Sequence, residues 1–268
     1  MRQVDHLGYK WEPSENAAEL CAQVMQPSLR FELKDCTDLP DHQFIYLPVE
    51  KTARQKKLFK QMANDFIAEI SDNTIITASN GGAKATKLLQ LLSGSIYDDE
   101  GNHHETDASN KLEALIEIID QLPEEQPCVI YCAYRHVQEF LRIKLTERYK
   151  TVELLNGGVK TNERSDVVNR VLSKQTKIVI INESASFGVD FVSTNVMIFF
   201  TPLFRNEVYL QALDRIRRMS SVMHGFTSFL IYHIICDPME KAIFQGLQDK
   251  TMTQEKIFQL MRKEILNG

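Results

Sequence analysis

From about residue 108 onward, short apolar runs alternate regularly with segments of helical periodicity. The apolar runs are CVIY (128–131), VELL (152–155), IVII (178–181), VMIFF (196–200) and FLIYHII (229–235). Between them lie polar segments with apolar residues at three- and four-residue steps, such as HVQEFLRIKL (136–145). Continuous apolar runs separated by helices are typical of a parallel sheet covered by helices on both faces. The pattern therefore predicts one α/β domain over residues 108–268.

The first 107 residues have a different pattern, which is mostly helical and irregular. The segment 51–70 places apolar residues at four-residue steps, which predicts an amphipathic helix: Leu58, Met62, Phe66 and Ile70. A second helix is expected over 85–94, closed by Gly94, and residues 97–107 are expected to form a polar loop. Residues 1–107 are therefore interpreted as a mostly helical linker or accessory region.

The composition of the chain mainly excludes some classes of protein. The 268 residues are 43% hydrophobic with a net charge of −5, so any nucleic-acid contact must be a local basic patch. No apolar run approaches the length of about 20 residues that spans a bilayer, and the N-terminus lacks the apolar stretch of a secretory signal. The five cysteines are scattered and read as reduced thiols, without a metal site. The expected location is the cytoplasm, with no membrane partner.

Two glycine-rich stretches resemble phosphate loops but do not meet the requirement. SNGGAKAT (79–86) and LNGGVKT (155–161) each carry paired glycines, a lysine and a threonine, but neither has the glycine that must precede the lysine. The first stretch also has no strand in the predicted pattern before it. No acidic pair that could hold magnesium follows an apolar strand. We therefore expect no complete ATPase site within these residues and little activity from the chain alone.

The second glycine pair has two open interpretations. Gly157 and Gly158 follow the strand VELL and precede a helix that opens near Thr161. Their backbone amides, at the positive end of that helix, could bind a phosphate. Alternatively the pair marks a tight turn that needs a positive φ.

Three arginines follow the apolar run VMIFF within one short segment, QALDRIRRMS (211–220). On a continuous helix, Gln211, Arg215 and Arg218 would share one face, while Arg217 would point elsewhere. Planar guanidinium donors held on a rigid helix suit a triphosphate. The alternative is a solvated basic face paired with Glu207 and Asp214. Upstream, a small-residue loop with Gly188 and Asp190 precedes the buried strand, so the combined order is more specific than its parts.

These motifs together resemble the second RecA-like lobe of superfamily 2 helicases, closest to Swi/Snf-type translocases and particularly their phage-encoded members. The resemblance runs from about residue 26 to 250, and four segments carry it: PCVIYCAYRHVQEFL (127–141), VELLNGGVKTNERSDVVNRV (152–171), SASFGVDF (184–191) and EVYLQALDRIRRMS (207–220). They are similar to the family's fourth motif, an intervening block, and its fifth and sixth motifs. Asp190 and Phe191 stand where the family usually has Asn-Leu.

The resemblance implies a fold, a substrate and roles for individual residues. The fold is a RecA-like parallel sheet with helices on both faces. ATP and Mg²⁺ would be held mainly by an N-terminal RecA-like lobe, and this chain would be the C-terminal half of a longer translocase or a lone lobe. Arg218 would reach the γ-phosphate, with Arg215 as its partner and Gln211 fixing the arginine segment. Gly188 and Asp190 would contact the ribose or couple the nucleotide state to the grip on the strand.

The resemblance also implies a nucleic-acid interface, with DNA favoured over RNA. Tyr134 would be part of this interface, and other side chains and backbone groups after the strands would hold phosphates: Arg135, Gly157, Gly158, Lys160, Ser184 and Ser186. Such contacts read the backbone and not the sequence, so affinity should fall steeply with salt. Two other classes stay open, namely a Rossmann-like nucleotide-sugar domain and an inactive α/β module that docks on a replication or repair protein.

Overall fold

The structure is a computed structural model that describes residues 2–3, 11–27, 38–71, 74–79, 81–185, 189–249 and residue 259. The chain divides into two compact units, Met1–Asp38 and Leu39–Gly268. In the first unit, strands β1 (Arg2–Gln3) and β2 (Trp11–Glu12) pair antiparallel, and helix α1 spans Ala17–Val24.

The second unit contains ten strands, eight α-helices and one 3-10 helix (Glu183–Ala185) within its described residues. The strands are β3 (His42–Pro48), β4 (Ile67–Ser71), β5 (Thr74–Thr77), β6 (Ser95–Tyr97), β7 (His103–Glu105), β8 (Cys128–Tyr131), β9 (Val152–Leu155), β10 (Ile178–Ile181), β11 (Val196–Phe199) and β12 (Phe229–Ile235). The helices are α2 (Ala53–Asp65), α3 (Gly81–Leu92), α4 (Ser109–Asp120), α5 (Arg135–Thr146), α6 (Thr161–Leu172), α7 (Asn206–Asp214), α8 (Met219–Met223) and α9 (Pro238–Gln248).

Six strands form one sheet in the order β3-β12-β11-β8-β10-β9, and every neighbouring pair is parallel. All residues of β8, β10 and β11 are buried, because these strands lie inside the sheet and are covered on both sides. This burial explains why their sequences are continuously apolar and do not alternate. The predicted parallel sheet is confirmed.

Helices cover both faces of this sheet. On one face, Cys128 and Ile130 of β8 join a core that includes residues of α4 and α5. On the opposite face, Val129 and Tyr131 join a larger core that includes residues of α6, α7 and α9. The predicted RecA-like arrangement, a parallel sheet between two helical layers, is therefore confirmed. No helix in the described part of the chain is long and apolar enough to cross a membrane.

The segment before residue 108 also contributes to the sheet. Strand β3 pairs with β12 along its whole length, from His42 beside Phe229 to Pro48 beside Ile235. Pro48 is tolerated there because β3 is the edge strand. The boundary predicted near residue 107 therefore lies inside the second compact unit, and the described residues between 39 and 107 hold five strands beside two helices.

The amphipathic helix predicted over 51–70 ends earlier than expected. Helix α2 stops at Asp65, Phe66 adopts a left-handed conformation with φ of 59°, and residues 67–71 form strand β4 instead. The reason is tertiary, because β4 pairs antiparallel with β5, a short β-branched strand that follows immediately. The four-residue spacing of Phe66 and Ile70 was therefore a chance match to helical periodicity, because this segment forms a strand. Strand β5 also precedes SNGGAKAT, where no strand was expected, but it belongs to this hairpin and not to the parallel sheet.

The segment 97–107 is a hairpin and not only a polar loop. Strands β6 and β7 pair antiparallel, with Ser95 beside Glu105 and Tyr97 beside His103. Asp98 organises the turn by accepting hydrogen bonds from the amides of Glu100 and Asn102, at 3.0 and 2.8 Å. The polar composition of this segment therefore predicted the turn correctly but did not predict the short strands on either side of it.

A fully buried ion pair joins α4 to α9. The Lys111 ammonium lies 2.6 Å from Glu240 Oε1 and donates a second hydrogen bond of 3.2 Å to the carbonyl of Phe200. Glu240 Oε2 in turn accepts a hydrogen bond of 2.7 Å from the amide of Cys236, directly after β12. Both side chains have no exposed surface, so their charges depend on each other and on these backbone groups.

Gly94 is required for two reasons at the end of α3. Its φ is +98°, and a Cβ added to it would lie 2.6 Å from the Cβ of Ala108. We expect Gly94→Ala to lower the free energy of unfolding by about 2 kcal/mol or more, measured by urea denaturation. Gly101→Ala is the matched control, because its φ is +86° but nothing lies near the added Cβ, so about 1 kcal/mol is expected. Equal losses in the two variants would contradict the steric part of this account.

Candidate functional site

The carboxyl ends of the parallel strands meet at one edge of the sheet, where ligands of such sheets usually bind. The loops there follow β8, β9 and β10, which are neighbours in the sheet. Four of the residues predicted to bind nucleic acid come together at this edge. A Cβ added to Gly157 would lie 3.2 Å from Ser184 Oγ, and one added to Gly158 would lie 4.0 Å from Arg135 Nη2.

The cations of this edge are accessible. Arg135 begins α5, Lys160 precedes the first residue of α6, and both side chains are exposed, as is Ser184. Two helices therefore begin here, each with a positively charged side chain at its N-terminal end. This is a local basic surface on a chain with a net negative charge. Ser186, also predicted at this edge, lies outside the described residues.

The glycine turn after β9 contradicts the interpretation that it needs a positive φ. Neither Gly157 nor Gly158 has a positive φ, so the turn does not need glycine for that reason. Instead the side chain of Asn156 forms the turn, because its Oδ1 accepts a hydrogen bond of 2.9 Å from the amide of Gly158. That amide is thus already engaged within the protein. The absence of side chains at both positions still leaves the backbone open to close approach.

Arg164 connects the loops of this edge, a role that the sequence did not reveal. Its guanidinium donates to the carbonyls of Val159 at 3.2 Å, Asn156 at 2.8 Å and Ser184 at 3.3 Å. One side chain therefore fixes the loop after β9 against the loop after β10. The sequence feature that could have indicated this role is the position of Arg164, in the first turn of a helix that begins beside the strand ends.

Tyr134 faces inward. Its ring packs partly buried on the core that includes α4 and α5, and it stacks on His136 with ring centroids 6.0 Å apart and 15° between the planes. Burial raises the pKa of its hydroxyl above the ordinary value. The ring is therefore less accessible to nucleic acid than the resemblance implied, because the residue before a helix can pack back on the core.

A groove of about 620 Å³ continues this edge toward β11. Its lining includes groups that the sequence did not single out, among them Arg205 and Glu183, which form an ion pair across it. Apolar and polar residues complete the wall: Tyr131, Ala133, Tyr134, Asn182, Ser184, Pro202, Leu203 and Phe204. The groove shares Tyr134 and Ser184 with the predicted nucleic-acid edge, so the two form one continuous surface.

The arginine segment is not one continuous helix. Helix α7 ends at Asp214, Arg215 is its C-terminal cap, and Arg218 is extended with φ of −126° before α8 begins. Ser221 stabilises this break, because its hydroxyl donates to the carbonyl of Ile216 at 2.7 Å and accepts from the amide of Arg218 at 3.3 Å. The predicted shared helical face for Gln211, Arg215 and Arg218 is therefore wrong in its geometry.

Arg215 and Arg218 nevertheless converge on one atom. Arg215 Nη1 and Arg218 Nη2 each lie 3.2 Å from Oδ1 of Asp190. Asp190 is half-exposed and comes from the loop before β11, while Arg215 is 14% exposed and Arg218 is 42% exposed. Glu207, one of the two acids in the alternative pairing, lies 3.9 Å from Arg205. Gly188, in the same loop as Asp190, lies outside the described residues.

Arg217 points away from this cluster, as the sequence predicted. Its guanidinium donates to the carbonyls of Pro40 and Leu39, at 2.7 and 3.1 Å, and lies 3.4 Å from a carboxylate oxygen of Asp41. The middle arginine thus fastens the chain that leads into β3, whereas its neighbours turn toward Asp190.

The arginine cluster has one unpaired donor that fits an anionic oxygen ligand, and one unpaired acceptor that fits a hydroxyl or amino group. Gln211 Oε1 and Arg218 Nε are buried without a hydrogen-bond partner among the described residues. The carboxylate oxygen of Asp190 already occupies a point between the two guanidinium groups, as an oxygen of a phosphate could. The described residues contain no cluster of three or more side chains that could hold a metal ion.

Comparisons with known proteins agree with this arrangement. Residues 110–220 match the family model of the helicase conserved C-terminal domain. The protein p41 of Acyrthosiphon pisum secondary endosymbiont phage 1 is 22% identical over 88% of this chain and 50% of its own length. The ATP-dependent RNA helicase DBP4 of Encephalitozoon cuniculi is 23% identical over 74% of this chain and 48% of its own length. The DNA repair protein RAD5 of Yarrowia lipolytica is 25% identical over 50% of this chain and 13% of its own.

Solved structures with the same fold come from Swi2/Snf2 ATPases. The C-terminal part of the Fun30 ATPase domain matches with a TM-score of 0.61 and 18% identity over 85% of this chain and 98% of its own. The Sulfolobus solfataricus SWI2/SNF2 ATPase core in complex with dsDNA matches with a TM-score of 0.61 and 21% identity over 92% of this chain and 54% of its own. The chain spans about half the length of the first curated relatives, p41 and DBP4. Residues 110–220 thus match the helicase conserved C-terminal domain, and the chain has the RecA-like fold seen in the C-terminal domains of Swi2/Snf2 ATPases.

Proposed function

We propose that this chain is the lobe of an ATP-dependent nucleic-acid translocase that supplies arginines to ATP and grips the nucleic-acid backbone. The observation that carries the proposal is the convergence of Arg215 and Arg218 on a single anionic oxygen of Asp190. Two guanidinium forks that meet at one oxygen can stabilise the charge on a transferring phosphoryl group. Gln211, with its buried unpaired Oε1, lies on the same segment and would accept a hydrogen bond from a hydroxyl or amino group of the nucleotide.

ATP would be shared with a second lobe. The sequence of this chain has neither a complete phosphate loop nor the acidic pair that holds magnesium, so an N-terminal RecA-like lobe would bind most of the ATP phosphates and Mg²⁺. Hydrolysis of ATP would supply the free energy for movement. The contribution of this chain is to orient Arg218 and Arg215, while Asp190 holds them together until a phosphate oxygen or the ribose replaces that contact.

Nucleic acid would bind at the carboxyl edge of the sheet. Arg135 and Lys160 are exposed there, Ser184 lies beside Gly157, and Arg164 fixes the loops that carry them. Contacts of this kind are to phosphates, so they are independent of sequence. DNA is favoured over RNA because similar structures include a Swi2/Snf2 ATPase core in complex with dsDNA. Because the chain is similar to the phage protein p41, we also propose that it is encoded by a phage and acts in the cytoplasm of the host cell.

Binding of fluorescent DNA at increasing salt tests the interface. We expect Arg135→Ala/Lys160→Ala to weaken binding and to reduce the slope of log affinity against log salt by about 2, one for each lost phosphate contact. Lys150→Ala/Lys174→Ala is the matched control, because it removes the same charge from exposed residues that precede β9 and β10, at the opposite edge. Its slope should equal that of the unchanged protein.

Two outcomes would contradict the interface. Equal losses in both double variants would mean that only net charge matters and that the carboxyl edge is not the binding site. No salt-dependent binding of DNA or RNA, combined with salt-independent binding of a replication or repair protein, would favour the inactive docking module.

A further inference from the structure

An ion pair crosses the groove of about 620 Å³ at the carboxyl edge of the sheet. Glu183 follows β10, Arg205 follows β11, and Nη1 of Arg205 contacts Oε1 of Glu183. In the sheet, β8 lies between β10 and β11. Neighbouring strands are about 4.8 Å apart, so the ion pair joins loops whose strands are about 10 Å apart. It therefore spans the end of β8, where Tyr131 and Ala133 line the groove.

Other contacts fix the loops that carry the two charged residues. The amide of Ala133 donates a hydrogen bond of 2.7 Å to the hydroxyl of Thr201, which is buried, so the loop after β11 is joined to the loop after β8. Arg164 donates a hydrogen bond of 3.3 Å to the carbonyl of Ser184, in the loop after β10. These contacts hold the loops independently of the ion pair, so its two side chains can separate without unfolding this edge of the sheet.

Both members of the ion pair are accessible to a ligand. The side chain of Arg205 is 51% exposed and that of Glu183 is 44% exposed. An ion pair between groups as exposed as these contributes little to stability, because water and salt screen it. A second acid, Glu207, lies 3.9 Å from Nη2 of Arg205, so the guanidinium is shared by two carboxylates. An arginine that is held this weakly can exchange a carboxylate for another oxyanion.

The groove adjoins the surface that we propose to bind nucleic acid. Tyr134, which directly precedes Arg135, lines the groove together with Ser184. Arg205 therefore adds a third exposed cation to this edge of the sheet, after Arg135 and Lys160. Planar guanidinium groups suit phosphates in particular, because they bind two oxygens through parallel hydrogen bonds. The anion that best fits Arg205 at this place is a phosphate of the nucleic-acid backbone.

We propose that Arg205 binds a phosphate of the nucleic-acid backbone and that Glu183 competes with this phosphate for the guanidinium. In the structure Glu183 is bound to Arg205, and their ion pair crosses the groove. When a strand binds, a phosphate oxygen replaces the carboxylate, the ion pair separates, and the groove opens to the backbone. Glu183 thereby lowers the affinity for nucleic acid. The inference rests on the proposed nucleic-acid interface, to which it adds one contact and the group that regulates it.

Binding of fluorescent DNA to the whole chain at increasing salt measures the new contact. Arg205→Ala should weaken binding about threefold to tenfold and reduce the slope of log affinity against log salt by about 1, and Arg205→Lys should keep most of the slope. Arg148→Ala is the matched control and should leave the slope unchanged, because Arg148 forms an exposed ion pair with Asp120 before β8 and β9, at the opposite edge. An unchanged slope in Arg205→Ala, while Arg135→Ala/Lys160→Ala still reduces it, would overturn the inference and leave the proposed interface intact.

The direction of the effect separates competition from a structural role. Arg205→Ala and Glu183→Gln break the same ion pair, so the loss of a structural contact would weaken binding in both variants. Competition predicts instead that Glu183→Gln tightens binding about twofold to fivefold, because the phosphate no longer has to displace a carboxylate. Asp120→Asn is the control for net charge, since it also removes a carboxylate from an exposed ion pair, and its affinity should not change. Weaker or unchanged binding by Glu183→Gln would refute competition, as would equal tightening in the control.

The double variant Glu183→Gln/Arg205→Ala tests whether Glu183 acts through Arg205. If the carboxylate competes for this guanidinium, Glu183→Gln should have little effect once Arg205 is replaced by alanine, so that the two substitutions are non-additive. Tightening by the same factor with and without Arg205 would mean that Glu183 only repels the DNA, and would contradict competition. If the unchanged protein shows no salt-dependent binding of nucleic acid, both this inference and the proposed interface are wrong.

Discussion

Alanine in place of Arg218 should reduce ATP hydrolysis about a thousandfold or more in a two-lobed protein that contains this chain, while ATP binding changes little. The reason is that Arg218 and Arg215 meet at one anionic oxygen, so both can act on the charge that develops on the phosphoryl group. The chain alone should show almost no turnover, since the phosphate loop would come from the other lobe. Single-turnover hydrolysis and equilibrium binding of a fluorescent ATP analogue measure the two effects separately.

Arg217→Ala is the control for this experiment. It removes the same group from the adjacent position, but that guanidinium binds the carbonyls of Leu39 and Pro40 and points away from Asp190. It should lower stability and leave turnover of the folded protein nearly unchanged. Arg218→Lys should recover only part of the activity, because an ammonium keeps the charge and loses the planar fork. Near-normal turnover of Arg218→Ala would remove Arg218 from the proposed mechanism.

Lys111→Met should lower the free energy of unfolding by about 3–5 kcal/mol. The substitution leaves Glu240 fully buried without the ammonium that now lies 2.6 Å away, and removes the hydrogen bond to the carbonyl of Phe200. Urea denaturation at pH 7 measures the loss. It should be the largest effect of any single substitution discussed for this fold, because a buried carboxylate has no solvent to compensate it.

The double variant Lys111→Met/Glu240→Gln distinguishes the unpaired charge from lost packing. Glutamine keeps an acceptor for the amide of Cys236, which Glu240 Oε2 now binds at 2.7 Å, but carries no charge. The double variant should therefore be more stable than Lys111→Met alone, so that the two substitutions are strongly non-additive. If the double variant is as unstable as the single one, the loss comes from packing and the electrostatic explanation is wrong.

The sheet could be predicted from the sequence because its central strands carry their own signal. Full burial on both faces makes β8, β10 and β11 continuously apolar, and that pattern depends on no other part of the chain. The hairpins were not predictable in the same way. In β4 and β7 the side chains fit a helix or a loop equally well, and only pairing with β5 and β6 selects the strand.

The candidate site was likewise predictable only in part. The sequence placed Arg135, Gly157, Gly158 and Ser184 at the carboxyl edge because parallel strands bring their ends together. It could not show that Asp190 would reach Arg215 and Arg218, nor that Arg164 would bind three carbonyls, since these contacts join loops that are distant along the chain. Helical spacing did not predict the position of Arg218, because the hydroxyl of Ser221 binds the Arg218 amide and the Ile216 carbonyl and stabilises a break in the helix.

The pairing of β3 with β12 has a consequence for synthesis on the ribosome. Strand β3 is translated long before the strand beside which it lies, residues 229–235. Until then the backbone groups of His42–Pro48 have no sheet to join, and such unpaired edges can associate with other chains. We expect nascent chains that stop before residue 229 to need chaperones, and the sheet to close only in the last stage of folding.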